Sequence, residues 1–269
     1  MQGDPIGTML GLRRSWSYVA DGARATIVVT HLRAALACFA GLACLASGCG
    51  HDPADREYLA ALRGEETGMT REQQIAHLDR AITIAPRRAH YYETRAIYWI
   101  DLRQFDRARR DLDRDIERVD RPYARFLRGL LACQAGDIGR SLADFDTAIA
   151  RQPSNTQFYR GRALARVATG DAAGALQDAE HLVATAPQQA ESFYARGMAR
   201  ALLGRDREAI ADFDRAAATR PELVYVLEAR ARALGRIGDS TRAGWDRDAI
   251  ARLRADHAGC APCLDPFRY

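Results

Sequence analysis

Residues 193–221 read FYARGMARALLGRDREAIADFDRAAATRP, and the spacing inside this stretch decides the fold. Gly197 follows Arg196, Ala209 stands twelve residues further on, and Pro221 twelve beyond that. The same slots return as Arg95-Ala96 with Ala108, Arg128-Gly129 with Ser141 and Pro153, Arg162-Ala163 with Ala175 and Pro187, and Arg230-Ala231 with Ala243. The copies are 33, 34, 34 and 34 residues apart, and a degenerate earlier copy runs through Leu62, Gln74 and Pro86. A repeat of this length is the mark of a helix–turn–helix solenoid, in which each unit buries its apolar face only by stacking on the next.

Each slot has a physical reason. Small residues at Gly129, Ala163 and Gly197 on the first helix, and at Ser141, Ala175 and Ala209 on the second, let two helix backbones approach closely where they cross. Between them lie Gly136-Asp137, Gly170-Asp171, Gly204-Arg205 and Gly238-Asp239. Glycine there supplies a positive-φ cap for the outgoing helix, and aspartate starts the next one. Pro86, Pro153, Pro187 and Pro221 close the second helices, since proline neither donates the backbone hydrogen bond nor continues the turn.

These residues resemble the tetratricopeptide repeat family in the variant Tyr-x-x-Arg-Gly-x-Ala…Gly-Asp…Ala-Ile-x-Asp-Phe-Asp-x-Ala-Ile…Pro, over about 200 residues. The stretch 193–221 and the copy Tyr123–Pro153, with Ser141-Leu142-Ala143-Asp144-Phe145-Asp146, carry the likeness most fully. The resemblance implies an all-α, right-handed α-solenoid of about five to six helical hairpins, with repeats near 55–88, 89–121, 122–155, 156–189, 190–223 and 224–257. The irregular first and last copies suit caps with a polar outer face.

The resemblance further implies that the first helix of each hairpin lines a concave groove. On that basis Ile97, Ile100, Phe126, Leu130, Cys133, Leu164, Val167, Tyr194, Met198 and Leu202 are expected to form an apolar partner-binding stripe. Charge flanks it at Glu93, Asp101, Arg160, Glu228, Arg232 and Arg236. Such a stripe suits a peptide or amphipathic helix. A tightly wound superhelix or a capping segment would bury the same side chains instead. The Lys/Asn carboxylate clamp of chaperone-linked members is missing, so their specificity does not carry over. The recurring Arg128, Arg162, Arg196 and Arg230, with Asp144, Asp178, Asp212 and Asp246 sixteen residues on, are expected to bridge the two helices of each hairpin and not to form a catalytic ladder.

The first fifty residues have another character. Residues 34–46, AALACFAGLACLA, are an uncharged run after Arg33 that leads into Ala46-Ser47-Gly48-Cys49. Thirteen residues are too few to cross a bilayer core, which takes about twenty, but fit the apolar region of a secretory signal. The segment resembles a bacterial lipoprotein signal, which implies that Cys49 is diacylated and becomes the mature amino terminus. Ala46 stands where that family most often has Leu. Simple cleavage near Ala46–Gly48 and a retained apolar anchor are the competing fates, and Arg13-Arg14 lies too far upstream for a typical twin-arginine signal. The leader 1–48 is long, and Met9, Val28 or Val29 would serve as a later start. Gly50 after the cysteine implies outer-membrane sorting in a host with two membranes.

Composition narrows the function further. All 39 basic residues are arginine, against 35 acidic ones, and removing residues 1–48 leaves 35 against 33, about +2. Interspersed opposite charges give no basic stripe for a nucleic-acid backbone. No phosphate loop, His-Glu-x-x-His or Gly-x-Ser-x-Gly appears, so neither an enzyme nor a cofactor or metal site is expected. The tail beyond residue 257 holds Cys260-Ala261-Pro262-Cys263 with His257 nearby. A disulfide between Cys260 and Cys263, a pair of metal ligands and a redox couple are the three chemistries of such a motif, and an oxidising exterior favours the disulfide. The expected protein is a lipid-anchored envelope adaptor that binds a protein or peptide. A thiol-redox or metal-binding accessory acting through the tail cysteines, and a plain structural spacer, are the alternatives.

Overall fold

Why the chain folds as paired helices is visible at its turns. The computed structural model describes residues 52–258, which form twelve α-helices and, among the described residues, no strand. In order these are α1 (Pro53–Leu62), α2 (Arg71–Ile84), α3 (Ala89–Asp101), α4 (Phe105–Arg118), α5 (Pro122–Ala135), α6 (Ile138–Arg151), α7 (Thr156–Thr169), α8 (Ala172–Thr185), α9 (Ala190–Leu202), α10 (Asp206–Thr219), α11 (Val224–Arg236) and α12 (Ser240–Ala258). The all-α class expected from the repeat is the one observed. Two compact units divide the described chain after Leu131, so the first holds α1–α4 and most of α5, and the second holds the end of α5 and α6–α12.

Gly136, Gly170, Gly204 and Gly238 take φ of 85°, 81°, 74° and 82°, the left-handed geometry that closes an outgoing helix. Asp137, Asp171 and Asp239 then accept from the backbone N–H of Arg140, Gly174 and Arg242 at 3.1, 2.9 and 3.0 Å, starting the second helices. The hairpin of α3 and α4 reaches the same turn without glycine: Arg103 itself adopts φ 58°. Helices α2, α6, α8 and α10 each end two residues before Pro86, Pro153, Pro187 and Pro221. That matches the steric bar a proline sets on the residue before it.

The small slots lie where the helices cross. Ala96, Ala108, Ser141, Ala163, Ala175 and Ala209 are fully buried. At Gly197 a Cβ would fall 2.5 Å from the Phe213 ring, so the aromatic face of α10 rests directly on the α9 backbone. Around this contact the second unit builds its largest core, from Leu164 and Tyr194 through Phe213 and Val226 to Ile250. The first unit has its own core, with Tyr58, Leu78, Tyr91 and Tyr92 at its centre.

Polar groups tie the hairpins together as well as apolar ones. Arg95 holds Asp111 through Nε and Nη2 at 2.8 and 2.7 Å, Arg162 holds Asp178 at 2.9 and 2.7 Å, and Arg196 and Arg230 hold Asp212 and Asp246 in the same forked way. The expected bridge sixteen residues on is thus present in these hairpins. The same guanidinium also reaches back to the preceding hairpin. Arg95 Nη1 donates to Asp79 at 2.6 Å, Arg128 to Asp113 at 2.8 Å, Arg162 to Asp146 at 2.7 Å and Arg230 to Asp214 at 2.8 Å. Asp111, Asp178, Asp212 and Asp246 are at most 4 % exposed. They are therefore desolvated charges whose partner is obligatory, unlike surface pairs worth little.

Two substitutions test this account in urea denaturation of the full chain. Gly197→Ala is expected to lower the unfolding free energy by about 1–3 kcal/mol through overpacking, while Gly235→Ala on α11, where a Cβ meets nothing, leaves it unchanged or slightly higher. Asp212→Ala, which strands Arg196 and takes from Arg200 the closer of its two carboxylates, is expected to cost about 3 kcal/mol. Equal effects at the two glycines would contradict the close approach of α9 and α10.

Candidate partner-binding face

The first helices of the hairpins, α3, α5, α7, α9 and α11, carry the residues expected to meet a partner, and the structure sorts them into two groups. Phe126, Cys133, Leu164, Val167 and Tyr194 are buried. Ile97, Ile100, Leu130 and Met198 are half-buried, and Leu202 is 41 % exposed. For Leu164, Val167 and Tyr194 the cause is direct, because α9 packs on α7 and on α11 as well as on its own partner α10. A side chain aimed along that line meets the next helix before it meets solvent. Tyr194, 3 % exposed, packs edge-on to Tyr225 of α11 with ring centroids 4.7 Å apart.

Cys133 lies 2.6 Å from the Ser141 hydroxyl, and burial pushes its thiol up to about 12. It is a packed, unreactive group. Cys49, Cys260 and Cys263 lie outside the described residues, as does the leader. Among the described residues no group of three or more His, Cys, Asp or Glu side chains is gathered as a metal would require, and no helix is long and apolar enough to cross a membrane.

In the first unit the face is acidic. Glu93 of α3 is half-buried, its side chain 12 % exposed, and its Oε2 accepts no hydrogen bond. Arg121 Nε is 3.5 Å away, yet Arg121 gives its hydrogen bonds to Asp115, which is fully buried. Burial pushes the Glu93 carboxyl up to about 7, with Arg121 opposing the rise and Asp115 adding to it. His90, one turn earlier, is pushed down to about 4 by burial and by the charges of Arg121 and Arg88.

In the second unit the face has a recess of mixed charge. Thr156, Gln157 and Arg160 from the start of α7, Leu182 of α8, and Gln189, Glu191 and Ser192 around the start of α9 line it, with room for little more than one water-sized group. Gln157 Oε1 is buried there without a hydrogen-bond partner. Glu191 is paired with Arg220 at 3.3 Å, and the Ser192 hydroxyl donates to the Ala186 carbonyl at 2.9 Å. Sequence reasoning placed Arg160 on this face but missed Gln157, Glu191 and Ser192, which come together only when successive repeats stack.

Solved structures share this architecture. A tetratricopeptide repeat protein from Parabacteroides merdae ATCC 43184 matches with a TM-score of 0.62 and 14 % identity over 97 % of this chain and 99 % of its own. PilW, described as a widely conserved type IV pilus biogenesis factor, matches with a TM-score of 0.63 and 16 % identity over 80 % of this chain and 96 % of its own. YrrB, described as a tetratricopeptide protein with an unusual peptide-binding site, gives 0.55 and 15 % over 67 % and 93 %. No protein-family model and no curated protein matches the sequence. At such identities the likeness establishes the fold, a tetratricopeptide-type helical repeat, and nothing finer.

The Glu93 environment makes a pH prediction. A carboxyl whose pKa is raised in the folded state contributes its full stability below its ordinary value of 4.5, and that contribution is lost as pH rises through about 7. His90 acts in the opposite sense, costing stability as pH falls from 6.5 toward 4. Comparison with Glu93→Gln isolates the first effect. In thermal or urea unfolding the variant is expected to equal the parent near pH 4.5 and to exceed it at pH 8 by up to about 3 kcal/mol. A gap that does not change with pH would refute this placement of the carboxylate.

Proposed function

We propose that this chain is an exported, lipid-anchored scaffold that holds a protein or peptide on the face formed by the first helices of its second unit, α7, α9 and α11. The observation that carries the reading is the apolar surface left on that face by Leu202, which is 41 % exposed, beside the half-buried Met198. Side chains that already serve hairpin packing, such as Tyr194 and Val167, shape the face from beneath. Met198 offers an unbranched, adaptable contact suited to a peptide or an amphipathic helix. Among the similar structures, YrrB is described by its peptide-binding site and PilW by pilus biogenesis, which is consistent with a role in binding and assembly. Cys49 is the anchor in this proposal, with the chain placed at the outer membrane where the host has two membranes.

Crosslinking and mass spectrometry on the membrane fraction test the proposal. The parent chain is expected to capture a specific protein that a Leu202→Asp variant loses by about tenfold or more, with its helical circular dichroism and melting temperature preserved. Cys49→Ser is expected to abolish incorporation of labelled palmitate and to release the chain from the membrane. If Cys260→Ser with Cys263→Ser removed activity while the face variant kept it, the thiol accessory would replace the scaffold.

A further inference from the structure

Up-and-down pairing of α1 to α4 brings four helix ends to one edge of the first unit: the start of α1, the end of α2, the start of α3 and the end of α4. Side chains stitch this edge together. Arg88, immediately before α3, pairs with Asp52 and Asp55 at the start of α1. The Tyr92 hydroxyl on α3 donates to the Pro86 carbonyl at 3.0 Å, and the Arg118 guanidinium at the end of α4 lies over the Tyr92 ring, 5.0 Å from its centroid.

Two apolar side chains stand out of this edge into solvent. Among the described residues of the first unit the exposed large apolar groups are Ile84, at 50 %, and Val119, at 57 %; the one ends α2 and the other follows α4. The slot of Ile84, two residues before the closing proline, holds Arg151, Thr185 and Thr219 in the second unit, so ending a helix there does not call for an apolar group. The surroundings are cationic. Arg87 and Arg118 are exposed and have no acidic partner among the described residues, and Arg114 lies one turn before Arg118. Of the acids nearby, Asp52 and Asp55 are held by Arg88 and Asp120 by Arg125, which leaves Glu117 as the exposed one.

Single apolar side chains are ordinary on a protein surface, but a pair bordered by arginines has the make-up of a contact with the lipid headgroup layer. The chain supplies the proximity. Three peptide units separate Cys49 from Asp52, a reach of at most about 11 Å. An acyl chain on Cys49 therefore keeps this edge beside the bilayer, whereas the turn at the other end of the ten-residue α1 is about 15 Å further along.

We propose that this edge of the first unit rests on an anionic lipid surface, with Ile84 and Val119 in the headgroup layer and Arg87, Arg114 and Arg118 on lipid phosphates. This rests on the lipid anchor of the reading above and adds to it the way the first unit sits on the membrane. Each arginine close to an anionic surface strengthens association by about fivefold, so the edge holds one orientation that an acyl chain alone leaves free.

Depth-resolved fluorescence on the acylated protein, purified from the membrane fraction and reconstituted with phosphatidylglycerol vesicles, tests it. Ile84→Cys, Val119→Cys and, in the turn at the far end of α1, Glu66→Cys each carry an uncharged environment-sensitive label, in a Cys260→Ser, Cys263→Ser background that leaves only the buried Cys133 thiol. The first two labels are expected about 5–10 Å into the headgroup boundary and are quenched by lipid-borne spin labels about twofold or more beyond the third. In phosphatidylcholine vesicles, or with Arg87→Glu and Arg118→Glu, that excess is expected to fall by about half or more, while the chain still floats with the vesicles and keeps its circular dichroism. Labels at the first two sites as open to water as the third, or an excess that neither neutral lipid nor the arginine variant reduces, would overturn the proposal. Flotation keeps the two readings apart. Vesicles that float without the chain remove the anchor and this contact with it, whereas a floating chain whose first two labels stay in water removes the contact alone.

Discussion

A desolvated aspartate cannot be left alone, and this molecule uses that constraint repeatedly. Asp111, Asp178, Asp212 and Asp246 are withdrawn from water inside their hairpins, so each needs a forked guanidinium from the facing helix. Because Arg95, Arg162 and Arg230 also reach an aspartate of the preceding hairpin, one side chain fixes both the crossing of its own two helices and the register of the stack. Apolar burial supplies most of the driving force for stacking. The directional ion pairs select one among the many ways in which alanine-rich helices could slide against each other. Where the pattern weakens, at Arg196, the second carboxylate is Glu180, which contributes only through its field.

Much of this was written plainly in the sequence. The 34-residue period, the glycine at the hairpin turn, the aspartate after it and the proline behind the second helix each impose a local backbone geometry, and every one is found where its chemistry demands. Arg103 shows the limit of such reading: the turn between α3 and α4 keeps the glycine geometry with an arginine in it, because the packed helices on either side dictate the path. The backward half of the ion ladder was also present in the sequence, as Asp79, Asp146 and Asp214 sixteen residues before their arginines.

The candidate face was harder to read, for a reason of geometry. Counting positions along a helix tells which side a residue occupies but not how near the next first helix comes. Leu164, Val167 and Tyr194 share the side expected of them, and the close packing of first helices turns them into core. What remains accessible is a narrower set of apolar residues bordered by charges whose pairing can be judged only in three dimensions. The Glu93 region and the Arg160 recess owe their character to neighbours contributed by other repeats: Asp115 and Arg121 in one case, Glu191 with Arg220 in the other.

The central claim is that the first helices, and not the outer helices or the cysteine-bearing tail, form the contact surface for a partner. Amide hydrogen exchange of the full chain, measured alone and with its crosslinking partner bound, reads this directly. Added protection concentrated on the start of α7 and along α9 and α11, with α8, α10 and residues 258–269 unchanged, is the predicted result. Protection confined to the second helices or to the tail would contradict the account.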